Sequence, residues 1–206
     1  MIDKKDHILN AAEELFAEHG YEGTSTRMLA QKAGVNVAMI SYYFGSKEKL
    51  FEAFVENRAR HMREMLQMVH EKDIDYIEKI DLMAELYVER VFSNSRFHRC
   101  IHRELSLQQR PELNEMITNV LIRNSEEFAR IIRAGQKKKV FRSDIDISLV
   151  IVTLTGTITY AAADSLMLQK VLGLSGNVPT REELKKKVKK HLKDLLVSFL
   201  VKHKSQ

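Results

Sequence analysis

The most specific spacing in the chain lies between Thr26 and Phe44, in the run TRMLAQKAGVNVAMISYYF. Ala30 places a small side chain where two helices would cross, and Gly34 can take the positive φ of a sharp turn. Val35 and Ile40 then anchor the following segment. This is helix-turn-helix spacing, and its chemistry is recognition: hydrogen bonds and apolar contacts to base edges, with phosphate contacts that set the register. The second helix, from about Val37 to Phe44, would turn Val37, Ala38, Ser41 and Tyr42 outward, with Met39 and Tyr43 at its edges. It is short and projecting enough to enter a major groove about 12 Å wide. The outward set is poor in bidentate readers, with Asn36 only at the margin, whereas Val37, Ala38 and Met39 suit thymine methyl groups. Specificity is therefore expected from apolar contacts, Arg27 and DNA shape. Tyr42 is assigned a phosphate contact through its hydroxyl, and Phe44 a place in the core.

Other chemistry is thinly represented. His98 and His102 lie four residues apart, with Cys100 between them and Glu104 beyond, a pattern that suggests a helical metal pair. Arg99 and Arg103 crowd it, however, and a zinc site needs three or four ligands; no metal is expected. No Ser-His-Asp order, paired-carboxylate setting or phosphate-cradling glycine loop occurs, so neither an enzyme nor a cofactor is expected. The single cysteine cannot form an internal disulfide, and the amino-terminal residues lack an apolar signal core. Ile147–Ala163 is uncharged, but it carries five Ser or Thr hydroxyls and a glycine between Asp146 and Asp164, and reads as a buried helix. A cytoplasmic protein with no membrane partner is expected.

The net charge of +5 invites a nucleic-acid reading, but its distribution argues otherwise. Residues 1–52 hold six Lys or Arg against eight Asp or Glu, whereas residues 180–206 hold nine against three. The basic excess thus lies at the opposite end from the helix-turn-helix. An acidic head implies few phosphate contacts per subunit, and therefore a need for two subunits.

The elements that must position these residues follow from apolar period and punctuation. Two prolines, eight glycines and abundant Leu, Glu, Lys and Ala favour an all-α fold. Ile8, Leu9, Ala12, Leu15 and Phe16 form one helical stripe over Lys4–His19. Gly20 ends it, and Thr24, Ser25 and Thr26 offer caps for a second helix that Gly34 stops. Asn36 caps the third; Ser46 caps a long fourth. Further segments are expected over 76–93, 96–108, 112–137, 144–171 and 180–204, with Pro111 and Pro179 at or near helix starts.

Four segments carry a family resemblance: Ile8-Leu9-x-Ala11-Ala12-x-x-Leu15-Phe16, Gly20-Tyr21-x-Gly23-Thr24-Ser25, Leu29-Ala30-x-x-Ala33-Gly34-Val35, and Tyr42-Tyr43-Phe44-x-Ser46-Lys47-x-x-Leu50. Together they make residues 3–63 resemble the DNA-binding domain of the TetR family (TetR/AcrR type) of transcriptional regulators. The resemblance implies a three-helix DNA-binding domain over 3–63, with its helix-turn-helix at about 25–44. A long fourth helix would join it to a ligand-binding and dimerisation bundle over 64–206, about nine helices in all. It also implies that Ser25, Thr26 and Arg27 touch phosphates and a base. Asn36, Val37, Ala38, Met39, Ser41, Tyr42 and Tyr43 would face the groove, and Lys47 would hold a phosphate; helix N-termini and a nearby lysine are suited to anions.

For the rest of the chain the resemblance implies a homodimer built on its last long helices. Leu149, Val152 and Gly156 on one, and Leu184, Val188, Leu192, Leu195 and Phe199 on the other, are the expected interface. The run Lys185, Lys186, Lys189, Lys190 and Lys193 opposite that stripe reads as a solvated face. An effector cavity is implied too, and an apolar small molecule would suit Met62, Met65, Leu66, Met83, Leu86, Tyr87, Phe92, Phe97, Phe128 and Tyr160. Gln136–Asp144 resembles the family's connector, with Lys139 where glycine is common. The implied function is a repressor that binds a palindromic double-stranded DNA operator and is released by an unknown effector. The alternative is a DNA-binding protein whose bundle responds to a protein partner.

Overall fold

The structure is a computed structural model that describes residues 4–163, 166–172 and 180–201. Among these the fold is all-α, with ten helices: α1 (Lys4–His19), α2 (Thr26–Ala33), α3 (Val37–Phe44), α4 (Lys47–Glu71), α5 (Tyr76–Ser93), α6 (Ser95–Leu107), α7 (Pro111–Lys137), α8 (Ile147–Ala162), α9 (Leu166–Val171) and α10 (Arg181–Leu200). One expectation fails: the segment read as a single helix over 144–171 divides into α8 and α9. Asp146 caps α8 by accepting from the backbone N–H groups of Ser148 and Leu149, and the helix ends at Ala162. The sequence offers no glycine or proline there to announce the stop. Pro179, Asp164 and the end of the last helix as far as Lys204 lie outside the described residues.

By packing, the chain divides into two compact units, Met1–His61 with Arg96–Ile122, and Met62–Ser95 with Arg123–Gln206. α4 and α7 therefore each contribute to both. The first unit closes around Ile8, Phe16, Leu29, Ile40, Phe51 and Phe54, joined by Phe97 and Ile101 of α6 and Leu113 and Ile117 of α7. Its centre is aromatic: Phe16 and Phe54 meet Phe51 at 4.9 and 5.6 Å between ring centroids, and Phe54 meets Phe97 edge-on at 5.2 Å. Arg58 pairs with Glu13, and Lys32 with Glu14 at 2.6 Å, fastening α4 and α2 to α1.

The second unit has its own core, from Met62 and Leu66 of α4 through Met83 and Val88 of α5, Phe128 and Ile131 of α7, Leu154 and Ile158 of α8, to Leu192 and Leu196 of α10. The lysines expected to be merely solvated prove to be organised. Lys185 and Lys189 reach Glu89 at 3.0 and 2.5 Å, Lys189 also reaches Glu85 at 2.9 Å, and Lys193 meets Asp81. Three lysines one turn apart on α10 thus oppose three carboxylates one turn apart on α5.

α7 ends in the same way as α2. Val140 N–H bonds the Gly135 carbonyl at 3.0 Å and Lys139 N–H bonds that of Gln136 at 2.9 Å, which is a Schellman cap. Lys139 occupies the left-handed position at φ 61°, where Gly34 does the same for α2 at φ 65°. The turn expected of glycine forms with lysine in its place.

Candidate nucleic-acid interface

The helix-turn-helix is built by caps and one buried anchor. Ser25 accepts a hydrogen bond from the Met28 N–H at 3.2 Å, starting α2, and Asn36 accepts one from the Ala38 N–H at 2.9 Å, starting α3. Gly34 stops α2 by bonding the Gln31 carbonyl, while Val35 N–H bonds that of Ala30. Ile40 is buried, fixing which face of α3 points in. Asn36, Val37, Ala38, Ser41 and Tyr42 are accordingly exposed, Tyr42 at 81%. Met39 and Tyr43 are half-buried against the core, as is Phe44. On α2, Ser25 and Arg27 are exposed and Thr26 is half-buried. Thr24 is fully buried instead of capping α2, and its hydroxyl donates to the carbonyls of Gly20 and Leu15 at 2.8 and 3.1 Å.

Lys47, expected on a phosphate, is otherwise engaged in the free protein. Its ammonium donates to the carbonyls of Tyr21 and Thr24, both at 3.1 Å, and sits 4.1 Å from the centre of the Tyr21 ring. Burial holds its pKa below the usual lysine value, against the raising influence of Glu48 and Glu104. The same tyrosine is a hub that periodicity does not reveal. Its hydroxyl donates to Glu48 at 2.5 Å, its backbone N–H to the buried Glu104 at 3.3 Å, and Arg110 lies 4.9 Å from its ring. Arg110 in turn pairs with Glu22. The hydrogen bond from Tyr21 lowers the Glu48 pKa, and burial foremost raises that of Tyr21. The turn that precedes α2 is thereby held by α4 on one side and by α6 and the α6–α7 loop on the other. A cleft of about 550 Å³ opens beside it, lined by Glu48, Lys49, Glu52, Arg110, Leu113 and Met116 among others.

Residues 8–54 match the model of the bacterial regulatory proteins of the tetR family. The chain is 27% identical over 142 residues to the probable HTH-type transcriptional regulator YttP of Bacillus subtilis, covering 68% of each chain. It is 29% identical over 162 residues to the HTH-type transcriptional repressor NicS of Pseudomonas putida, covering 70% of this chain and 68% of that one. Over residues 8–54, then, the chain is similar to the tetR family of bacterial regulatory proteins, and the relatives it matches more widely are transcriptional regulators. Its fold agrees: the transcriptional regulator FadR from Bacillus subtilis, solved in complex with stearoyl-CoA, superimposes with a TM-score of 0.72 at 22% identity, covering 94% of this chain and 97% of that one.

The residues expected to line an effector cavity do not form one set. Met62, Leu66, Met83, Phe92 and Phe128 lie in the second core with Leu86 and Tyr87 packed against it, and Met65 is half-buried on α4. Phe97 instead belongs to the core of the first unit, and Tyr160 is exposed on α8. The residues expected at a dimer interface also separate. Val188 and Leu192 are buried in the chain's own core, with Leu184 and Leu195 packed beside them. Leu149 and Val152, each 62% exposed, Gly156 and Phe199 remain at the surface. Among the described residues no group of three or more metal-ligating side chains occurs, and no helix is long and apolar enough to cross a membrane.

Proposed function

We propose that the chain is a cytoplasmic repressor that binds a palindromic operator as a homodimer, and that an apolar effector bound in the second unit releases it. The observation that carries the reading is α3: a capped helix, anchored by Ile40, whose exposed side is Val37, Ala38, Ser41 and Tyr42. That surface is nearly free of bidentate hydrogen-bonding groups, so apolar contacts to base edges and the Tyr42 hydroxyl on phosphate are its means of recognition. Ser25 and Arg27, with Thr26 beside them, would take the adjoining phosphates at the N-terminus of α2. Asn36, Met39 and Tyr43 would border the groove, and Lys47 would act chiefly by holding the turn before α2.

Leu149, Val152, Gly156 and Tyr160 follow one another at three- or four-residue steps, which makes a single exposed stripe on α8. A Cβ on Gly156 would meet nothing within 4 Å, so a second helix can come close there. A second copy of the chain, meeting this stripe and Phe199, would bury an apolar surface that one chain leaves in water. Selection of bound DNA from a random pool tests the reading. A near-palindrome with half-sites about one helical turn apart is the expected product, and a single unrepeated half-site would contradict the dimer.

A further inference from the structure

Among the described residues the buried carboxylates are Glu104 and Glu127, and a buried charge is costly unless partners meet it. Glu127 is met by side chains, Gln67 at 3.3 Å and Arg130 at 3.1 Å. Glu104, 5% exposed on α6, is met differently. It accepts the backbone N–H of Tyr21 at 3.3 Å, while Arg110 stands off at 3.8 Å.

Tyr21 lies in the turn between α1 and α2, and side chains hold the backbone of that turn. Gly20, at φ 75°, ends α1 just before it. The Thr24 hydroxyl donates to the Gly20 carbonyl, and the Lys47 ammonium donates to the carbonyls of Tyr21 and Thr24. Thr24 belongs to the turn itself, and Lys47 begins the helix that follows α3. Glu104 instead reaches in from 83 positions away. Without it, the Tyr21 N–H would lose its acceptor in a buried setting, which leaves the turn free to shift in search of another.

Four residues after Tyr21, Ser25 caps α2, and Arg27 stands in the first turn of that helix. We propose that Glu104 is a positioning residue for DNA binding: from α6 it fixes the turn that presents Ser25 and Arg27 to the phosphate backbone. α3 depends on it less, because its own cap at Asn36 and the buried Ile40 set that helix. Phosphate contacts supply hold and register but do not read sequence. Glu104 therefore governs affinity and leaves base discrimination to α3. What acts is the reach of an acceptor to the Tyr21 N–H, not the negative charge, since Arg110 keeps Glu22 as a partner. This assignment rests on the DNA-binding reading above and adds to it a residue outside the helix-turn-helix.

Substitutions in the full chain separate reach from charge. Glu104→Gln keeps the reach without the charge, Glu104→Asp keeps the charge without the reach, and Glu104→Leu keeps neither. Each protein is titrated with the duplex that the wild type selects and with an unrelated duplex, and helix content and melting temperature are recorded beside. Glu104→Gln should bind the selected duplex within about twofold of the wild type, and Glu104→Asp and Glu104→Leu about five- to tenfold more weakly, the scale of one hydrogen bond. The unrelated duplex should lose by the same factor, and the penalty for replacing thymine with uracil should not change. Should Glu104→Leu fail to fold, Glu104→Asp and Glu104→Gln carry the comparison. A folded Glu104→Asp protein that binds as tightly as the wild type would overturn the proposal, as would Glu104→Gln binding as weakly as Glu104→Asp. A loss confined to the selected duplex would place the effect on α3 and overturn it too. A wild type that selects no DNA would instead overturn the DNA-binding reading itself.

Discussion

Tyr42 is 81% exposed on α3, with its ring edge-on to Tyr43 at 5.1 Å between centroids. Removing its hydroxyl costs the free protein nothing in packing, so Tyr42→Phe should leave the melting temperature unchanged. Loss of one phosphate hydrogen bond should weaken operator binding by about five- to tenfold, equivalent to about 1–1.5 kcal/mol; a gel-shift titration beside a thermal melt checks both. Lys139 offers a test of the opposite kind. A non-glycine residue in the left-handed region is strained by about 1 kcal/mol, and Lys139 makes its cap with backbone groups alone. Lys139→Gly should therefore raise stability by up to about 1 kcal/mol, less the backbone entropy that glycine adds to the unfolded chain, as read from a denaturant midpoint. The caps at Ser25, Asn36 and Gly34 were legible in the sequence because each acts on residues two to five positions away. The Tyr21 hub was not: its link to Glu104 spans 83 positions, and no local pattern marks which carboxylate will reach back across that distance.

At the level of helices, the α5–α10 ladder shows what periodicity can and cannot say. Of the stripe Leu184, Val188, Leu192, Leu195 and Phe199, the first four signal a buried face and Phe199 stays exposed, and the pattern does not say whether the cover is the same chain or another. The chain itself covers Val188 and Leu192, leaving α8 to carry the exposed stripe. Likewise the lysine run appears solvated until α5 is laid against it. The ladder has a pH signature. Hydrogen bonds from Lys189 first, then Lys185, hold the Glu89 carboxyl below the usual range. A carboxylate depressed in the folded state contributes stability above its unfolded pKa of about 4.3, and loses it as pH falls through the lower folded value. Stability should thus decline on the acid side below about pH 4.5, and Glu89→Gln should flatten that decline. At neutral pH the variant should cost no more than about 1 kcal/mol, since these side chains are partly exposed, and less in 1 M salt. Urea melts across pH and salt measure each part.

For the whole molecule, the account requires two copies. Residues 1–52 carry eight acidic against six basic side chains, so each head has little electrostatic hold of its own on DNA. Val152→Asp places a charge in the middle of the exposed α8 stripe without touching the core. Sedimentation equilibrium should show a shift from dimer to monomer, with helix content kept and operator affinity reduced at least a hundredfold; an unchanged dimer would place the interface elsewhere. The same reasoning explains why pI misleads here: the lysines that raise it, Lys185, Lys189 and Lys193 among them, are occupied with α5.

The central claim is that the apolar face of α3 reads bases, and thymine methyl groups are what Val37, Ala38 and Met39 can recognise. Replacing each thymine of the selected site with uracil removes only that methyl group. Equilibrium binding to the substituted duplexes should weaken about three- to tenfold at one or more positions in each half-site, in line with the burial of a single methyl. Unchanged affinity at every position would contradict an apolar reading helix.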